Sequence, residues 1–175
     1  MFLLPTVLPG ALSGVQAVSK QTATTTGLTI TLDQLTPVVP TAKSVLALSG
    51  NVSNATDATV SSLSVSMRVS LSRVVDRNQL GPLEAGDVDP GTRGVIDGTT
   101  NLTDPLPAGS SEAWSLELPM SNLQLADSGV YYVRLEAVAD QDSSVNGSTN
   151  TFIPLFPNPA VIQPTKVVWL WPMSA

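Results

Sequence analysis

Two groups of carboxylates invite a chemical reading of this chain. Asp87, Asp89 and Asp97 lie in a glycine-rich stretch, and Asp140 and Asp142 stand close together further on. Flexible, oxygen-rich loops suit calcium, and "GDVDPG" offers two ligands. The spacing of an EF-hand and its bidentate glutamate are both missing, so the stretch reads as a solvated acidic loop and no specific metal site is expected. Glycoside hydrolysis requires two acids at a set separation in a sugar-lined cleft. The chain has four glutamates, and Glu117 and Glu136 fall at outward positions of strand-like runs. That chemistry gains no support.

Histidine and cysteine are both absent. Thiolate nucleophiles, disulfides, zinc fingers and Ser-His-Asp triads are therefore excluded within the chain, and no catalytic or cofactor-binding residue can be nominated. Net charge is -6 with only eight Lys and Arg, so few groups could displace counterions from a nucleic acid, and they are not clustered. No nucleic-acid partner is expected. Four N-x-[ST] sequons occur, at Asn51, Asn54, Asn101 and Asn146. They carry weight only in a glycosylating pathway, and in a chain this rich in Ser and Thr they arise by chance.

The elements that would position any site are strands. Hydrophobic residues make up 42% of the chain and charged ones 13%, so hydroxyls carry the polar surface, a balance that favours an all-β, secreted style. "LTITLDQL" alternates Leu28, Ile30 and Leu32 against polar neighbours until Pro37 and Pro40. "SVLALSGNVSN" sets Leu46, Leu48 and Gly50 opposite Val45, Ala47 and Ser49. "SLSVSMRVSLS" places Leu63, Val65, Met67, Val69 and Leu71 on one face and Ser64, Ser66, Arg68, Ser70 and Ser72 on the other. A helix would scatter those five apolar groups around its circumference. Trp114, Leu116 and Leu118 alternate in "EAWSLELP"; Tyr131, Val133, Leu135 and Ala137 share a face of "VYYVRLEAVA"; "STNTFIPLF" is the last run. Between Arg73 and Ser111 the spacing predicts about two helical turns over "RVVDRNQLG", pinned by Leu80 and by Val74 or Val75, and then a long loop. Six or seven short strands of this kind imply a two-sheet antiparallel sandwich.

"DSGVY", Asp127 to Tyr131, refines that class. Immunoglobulin-type domains carry D-x-G-x-Y at the corner leading into strand F, followed by a cysteine two residues after the tyrosine, where this chain has Val133. Tyr131 is expected to send its hydroxyl back to nearby backbone, whereas Tyr132 is expected to carry little. Val133 is expected to fill the inward cysteine site opposite Leu46 or Leu48. Burying such a side chain is worth roughly 1.5–3 kcal/mol, against roughly 2–5 kcal/mol lost when a native disulfide is removed, so packing can replace the bond. The fold expected is an immunoglobulin-like or fibronectin-like β-sandwich of about seven strands with one long loop carrying a short helix.

At the termini, the apolar "MFLLPTVLPGAL" and the small-residue site Val15-Gln16-Ala17 read as a secretory-signal remnant or a disordered leader, followed by a polar linker to Gly27. The tail "VIQPTKVVWLWPMSA" bears Trp169 and Trp171 in an apolar run that either folds back on the sandwich or opens a further domain. The domain reading is thus 1–27 leader and linker, 28–157 sandwich, 158–175 linker and first strand of a following domain.

Several segments in order, among them "LTITLDQLTPVVP", "LALSGNVSNATDA", "SLSVSMRVSLSR" with "DRNQL", "LPAGSSEAWSLELP", "GVYYVRLEAVA", "TFIPLFP" and "QPTKVVWLWPM", resemble an actinobacterial cell-envelope family of unknown function, domain of unknown function 6049. The resemblance implies an N-terminal immunoglobulin-like domain of a secreted, membrane-anchored protein whose larger second domain begins near W-L-W-P. Genes of that family tend to lie beside the one for the lipid flippase of peptidoglycan synthesis, so a role near cell-wall synthesis is an association. No activity and no catalytic residue carries over. The expectation is a non-catalytic extracytoplasmic module that spaces, docks or scaffolds, without cofactors. Its expected partner is an envelope or membrane protein, or the C-terminal domain of its own full-length chain. The alternative is an accessory domain of an envelope enzyme whose active site lies in that C-terminal part.

Overall fold

The computed structural model describes residues 25–87, 97–125, 127–140 and 142–156. They form two antiparallel sheets. One is ordered β2 (Leu28–Thr36), β3 (Val45–Asn54), β6 (Ser111–Pro119); the other is ordered β1 (Thr25–Thr26), β8 (Asn146–Leu155), β7 (Gly129–Ala139), β4 (Leu63–Val74), β5 (Gly98–Leu102). In immunoglobulin terms, β2, β3 and β6 are strands A, B and E, while β4, β7 and β8 are C, F and G, with β5 added beside C. The chain has an immunoglobulin-like β-sandwich fold.

Alternation explains the core. Leu28 and Ile30 from β2, Leu46, Leu48 and Val52 from β3, Leu63 to Val69 at every second place in β4, Trp114, Leu116 and Leu118 from β6, and Tyr131, Val133, Leu135 and Ala137 from β7 all fall in one buried cluster. Val133 is fully buried in the same cluster as Leu46 and Leu48, as a substitute for the corner cysteine should be.

Four features depart from the sequence reading. Leu71 was expected on the inward face, but it is 67% exposed. Between the pairs Val69↔Val133 and Arg73↔Tyr131, β4 spends two more residues than β7, and this bulge ejects Leu71 while Ser70 stays buried. The helix starts later than expected. Asp76 caps it: its side chain accepts the Asn78 N–H, and Gln79 accepts the Asp76 N–H. A single 3-10 turn, Arg77–Gln79, then leads into α1 (Leu80–Ala85), ended by left-handed Gly86. Its anchor is therefore Leu83, while Val75 stays 79% exposed before the cap.

The long loop also contains β5, a strand without hydrophobic alternation that pairs through backbone to Leu63–Met67. Its start is pinned by Asp97, whose carboxylate accepts the Val69 N–H at 2.9 Å while its own N–H donates to the Met67 carbonyl. Finally, Thr25–Thr26, read as linker, extends the second sheet by pairing with Asn146 and Gly147.

The registers define two poles. The β2–β3 turn, the start of β7, and the ends of β4, β6 and β8 gather at one, tied together where Phe156 N–H donates to the Pro40 carbonyl and Met120 N–H to that of Ser44. Gly27, Asn54 to Val60, Leu106 and the β7–β8 hairpin gather at the other.

Candidate functional site

Two adjacent tyrosines of β7 organise the first pole from opposite faces. Tyr131 points inward, and its hydroxyl donates to the Asp127 carbonyl at 3.1 Å, closing the corner that "DSGVY" predicts. Tyr132 points outward yet is 2% exposed, because α1 folds over it. Its hydroxyl donates to Asn150 Oδ1 at 2.7 Å, and Asn150 Nδ2 donates in turn to the Glu84 carbonyl of α1 at 3.2 Å. Its ring meets Phe152 edge-on, with centroids 6.1 Å apart. The expectation that Tyr132 carries little is therefore corrected. The missing signal lay in a helix too short and too polar to announce that it covers the outer face of a sheet.

Tyr132 and α1 border a cleft of about 520 Å³ that is walled chiefly by Val74, Val75, Pro82 and Leu83. Its polar groups are largely engaged by the fold. The Ser70 hydroxyl accepts the Tyr132 N–H and donates to the Ser72 carbonyl; Arg73 Nη1 donates to the Ser128 carbonyl at 2.9 Å. The lining of the cleft is mostly apolar and contains no paired acid and base.

The acids named from sequence are not brought together. Glu117 lies exposed on β6 and Glu136 half-buried on β7, on the outward faces of different sheets. Glu136 is 3.3 Å from Arg68 and 2.8 Å from Arg134, two like charges directly opposite each other in the β4–β7 register that it separates. Asp97 serves the backbone of β4, and Asp87 follows α1. Asp140 and Asp142 sit at the second pole, in the β7–β8 hairpin. Asp89 lies outside the described residues. Among the described residues, no three carboxylates converge as a metal site would require. Asp142 accepts bonds from the Ser144 hydroxyl and N–H, and these hold its carboxyl below the usual 3.8.

The sequons divide by structure. Asn54 is 1% exposed: its Nδ2 donates to the Ala58 and Leu106 carbonyls, and its Oδ1 accepts from Thr56 N–H and Oγ1. It is a bracket for the loop that follows β3. The spacing Asn54 to Thr56 is the Asx-turn signal that could have revealed this role. Asn51 and Asn101 are exposed, and Asn146 donates to the Ser143 carbonyl.

The exposed apolar surface is unevenly distributed. Val38, Val39, Val45, Leu71 and Val75 are the large hydrophobic residues most exposed among those described, and all five lie at or near the first pole. The tail with Trp169 and Trp171, and the signal-like leader, lie outside the described residues. No helix among the described residues is long and apolar enough to cross a membrane.

The chain belongs to a family of unknown function, DUF6049, whose model matches residues 1–175. No curated protein matches it. Among solved structures it is similar to the CARDB domain of the PF1109 protein from Pyrococcus furiosus in complex with di-metal ions. There the identity is 11%, the match covers 82% of this chain and 100% of that one, and the TM-score is 0.43. It is also similar to β-glucosidase from Listeria innocua, at 12% identity over 73% of this chain, with a TM-score of 0.45. A third is the Bacteroides uniformis β-glucuronidase, at 16% identity over 73% of this chain and 13% of that one, with a TM-score of 0.41. The chain spans about 16% of the length of the β-glucosidase it matches.

Proposed function

We propose that this domain is a non-catalytic, extracytoplasmic immunoglobulin-like module of an actinobacterial cell-envelope protein, which spaces and docks its neighbours near the site of cell-wall synthesis. One observation carries the docking part: among the described residues, the most exposed large hydrophobics lie at or near a single pole of the sandwich. Apolar groups gathered in this way favour contact with another surface over contact with water. The Ser- and Thr-rich exterior and the resemblance to envelope proteins support the compartment. The partner is an envelope or membrane protein, or a further part of its own full-length chain.

The test is protease shaving of intact cells of an actinobacterial host that express the tagged chain. Digestion of the tag without lysis is the expected outcome, together with recovery of the undigested protein in the envelope fraction. Protection in intact cells and recovery in the cytosol would overturn the proposal.

A further inference from the structure

The first pole is also where the chain leaves the sandwich. β8 ends at Leu155, and the next residue donates its N–H to the Pro40 carbonyl at 3.3 Å, which holds the exit against the turn bearing Val38 and Val39. Val38 is 73% exposed, Val39 50% and Val45 54%. They face water beside the one point from which the rest of the chain must start. Eleven residues after Phe156 comes Val167-Val168-Trp169-Leu170-Trp171. In extended form those eleven residues span at most roughly 36–40 Å, enough to reach any part of the pole. Within the segment, Val167, Trp169 and Trp171 alternate with Val168 and Leu170, so as a strand it would present two apolar faces, each needing a cover.

We infer that the pole formed by Val38, Val39 and Val45 is the seat of the segment Val167–Trp171 of the same chain, with one apolar face laid on the valines. The inference rests on the reading of this pole as a docking surface and names its occupant. Proximity favours that occupant over any separate molecule, because a tethered segment meets the pole at a high effective concentration. The second face of the segment then remains for a further contact.

Tryptophan emission of the full chain tests this. A Trp169→Phe/Trp171→Phe variant reports Trp114 alone, and subtraction leaves the two tail tryptophans. In the unaltered chain their emission should be blue-shifted and weakly quenched by acrylamide, independently of protein concentration. Val38→Asp combined with Val39→Asp should shift that emission to the red and raise its quenching constant severalfold, whereas Ala58→Asp at the second pole should leave it unchanged. The three substituted positions are exposed on the sandwich, so a retained cooperative thermal transition will show that the sandwich persists. Tail tryptophans quenched like a free peptide in the unaltered chain, or insensitive to the double substitution, would overturn the inference. Protection that disappears on dilution would also overturn it, since the pole would then take a second copy of the chain while remaining a docking surface.

Discussion

The hydroxyl of Tyr131 lies 3.1 Å from the carbonyl oxygen of Asp127, four residues earlier, and this bond closes the corner between the sandwich's two sheets. No disulfide stands behind it: Val133, two residues on, is fully buried where immunoglobulin domains place a cysteine. The corner and the core packing thus divide work that a covalent link performs elsewhere. Tyr131→Phe keeps the ring and removes the bond, so urea denaturation should show a loss of about 0.5–1.5 kcal/mol. An unchanged midpoint would contradict this role for the hydroxyl.

The neighbouring tyrosine should be equally sensitive, and for a separate reason. Tyr132→Phe leaves Asn150 without its hydroxyl donor beneath α1, and a loss of about 0.5–1.5 kcal/mol is again expected. Asn150 also holds the Glu84 carbonyl, so the damage should extend to the helix. Amide hydrogen exchange should accelerate in Leu80–Ala85 for Tyr132→Phe and remain unaltered there for Tyr131→Phe. The two effects separate the faces of β7.

Much of this architecture was legible because strands buried on one face write their period into the sequence. Leu63, Val65, Met67 and Val69 of β4, and Tyr131, Val133, Leu135 and Ala137 of β7, declare both strand and inward face. The pattern failed where backbone hydrogen bonding, and not side-chain burial, determines the structure. β5 is held by its ladder to β4 and by Asp97, neither of which leaves an apolar period. The bulge that exposes Leu71 depends on the register against β7, a relation between distant segments that no local window contains. The apolar pole was unreadable for the same reason: Val38, Val45 and Val75 reach the same end of the sandwich only once the strands are paired.

Gly50 supports a close approach that the sequence does not announce. It stands opposite Leu32 at the register shift in β2 and beside Trp114, whose indole Nε1–H donates to the Thr31 carbonyl at 3.2 Å. A Cβ on Gly50 would collide with that same carbonyl. Gly50→Ala should therefore cost about 1–3 kcal/mol, as overpacked interiors do. The Trp114 indole N–H resonance should shift as its bond is displaced. An alanine tolerated without either change would mean that β2 can move aside freely.

Acid should weaken the β7–β8 hairpin slightly. The Ser144 hydroxyl, and then the Ser144 N–H, hold the exposed Asp142 carboxyl below 3.8 in the folded chain. A group whose folded value is depressed stabilises the fold above its unfolded value, and that contribution is lost as pH falls through the folded value. The loss should thus begin below pH 3.8 and be absent at neutral pH. Carboxyl chemical shifts should place the Asp142 titration below those of exposed aspartates, and Ser144→Ala should move it upward. No movement in that variant would refute the hydroxyl as the principal cause.

Asn54 yields the most demanding prediction, because its sequon and its structure point to opposite outcomes. Sequence alone offers it to a glycosylating host on the same terms as Asn51 and Asn101, yet its amide is buried and bonded at both ends. An oligosaccharide on Nδ2 would replace one of its two hydrogens, so one of the donations to Ala58 and Leu106 would be lost and the buried amide would have to be forced out of the second pole. Expressed through a eukaryotic secretory pathway, the folded protein should lack glycan at Asn54, while exposed Asn101 remains accessible to the transferase. Asn54→Ala should destabilise by about 1–3 kcal/mol, since the carbonyls of Ala58 and Leu106 and the hydroxyl of Thr56 lose their buried partner. Peptide mapping of the secreted material and a denaturation curve of the variant measure the two effects independently. Full occupancy at Asn54 in natively folded protein, or an alanine variant of unchanged stability, would remove this residue from the scaffold of the pole.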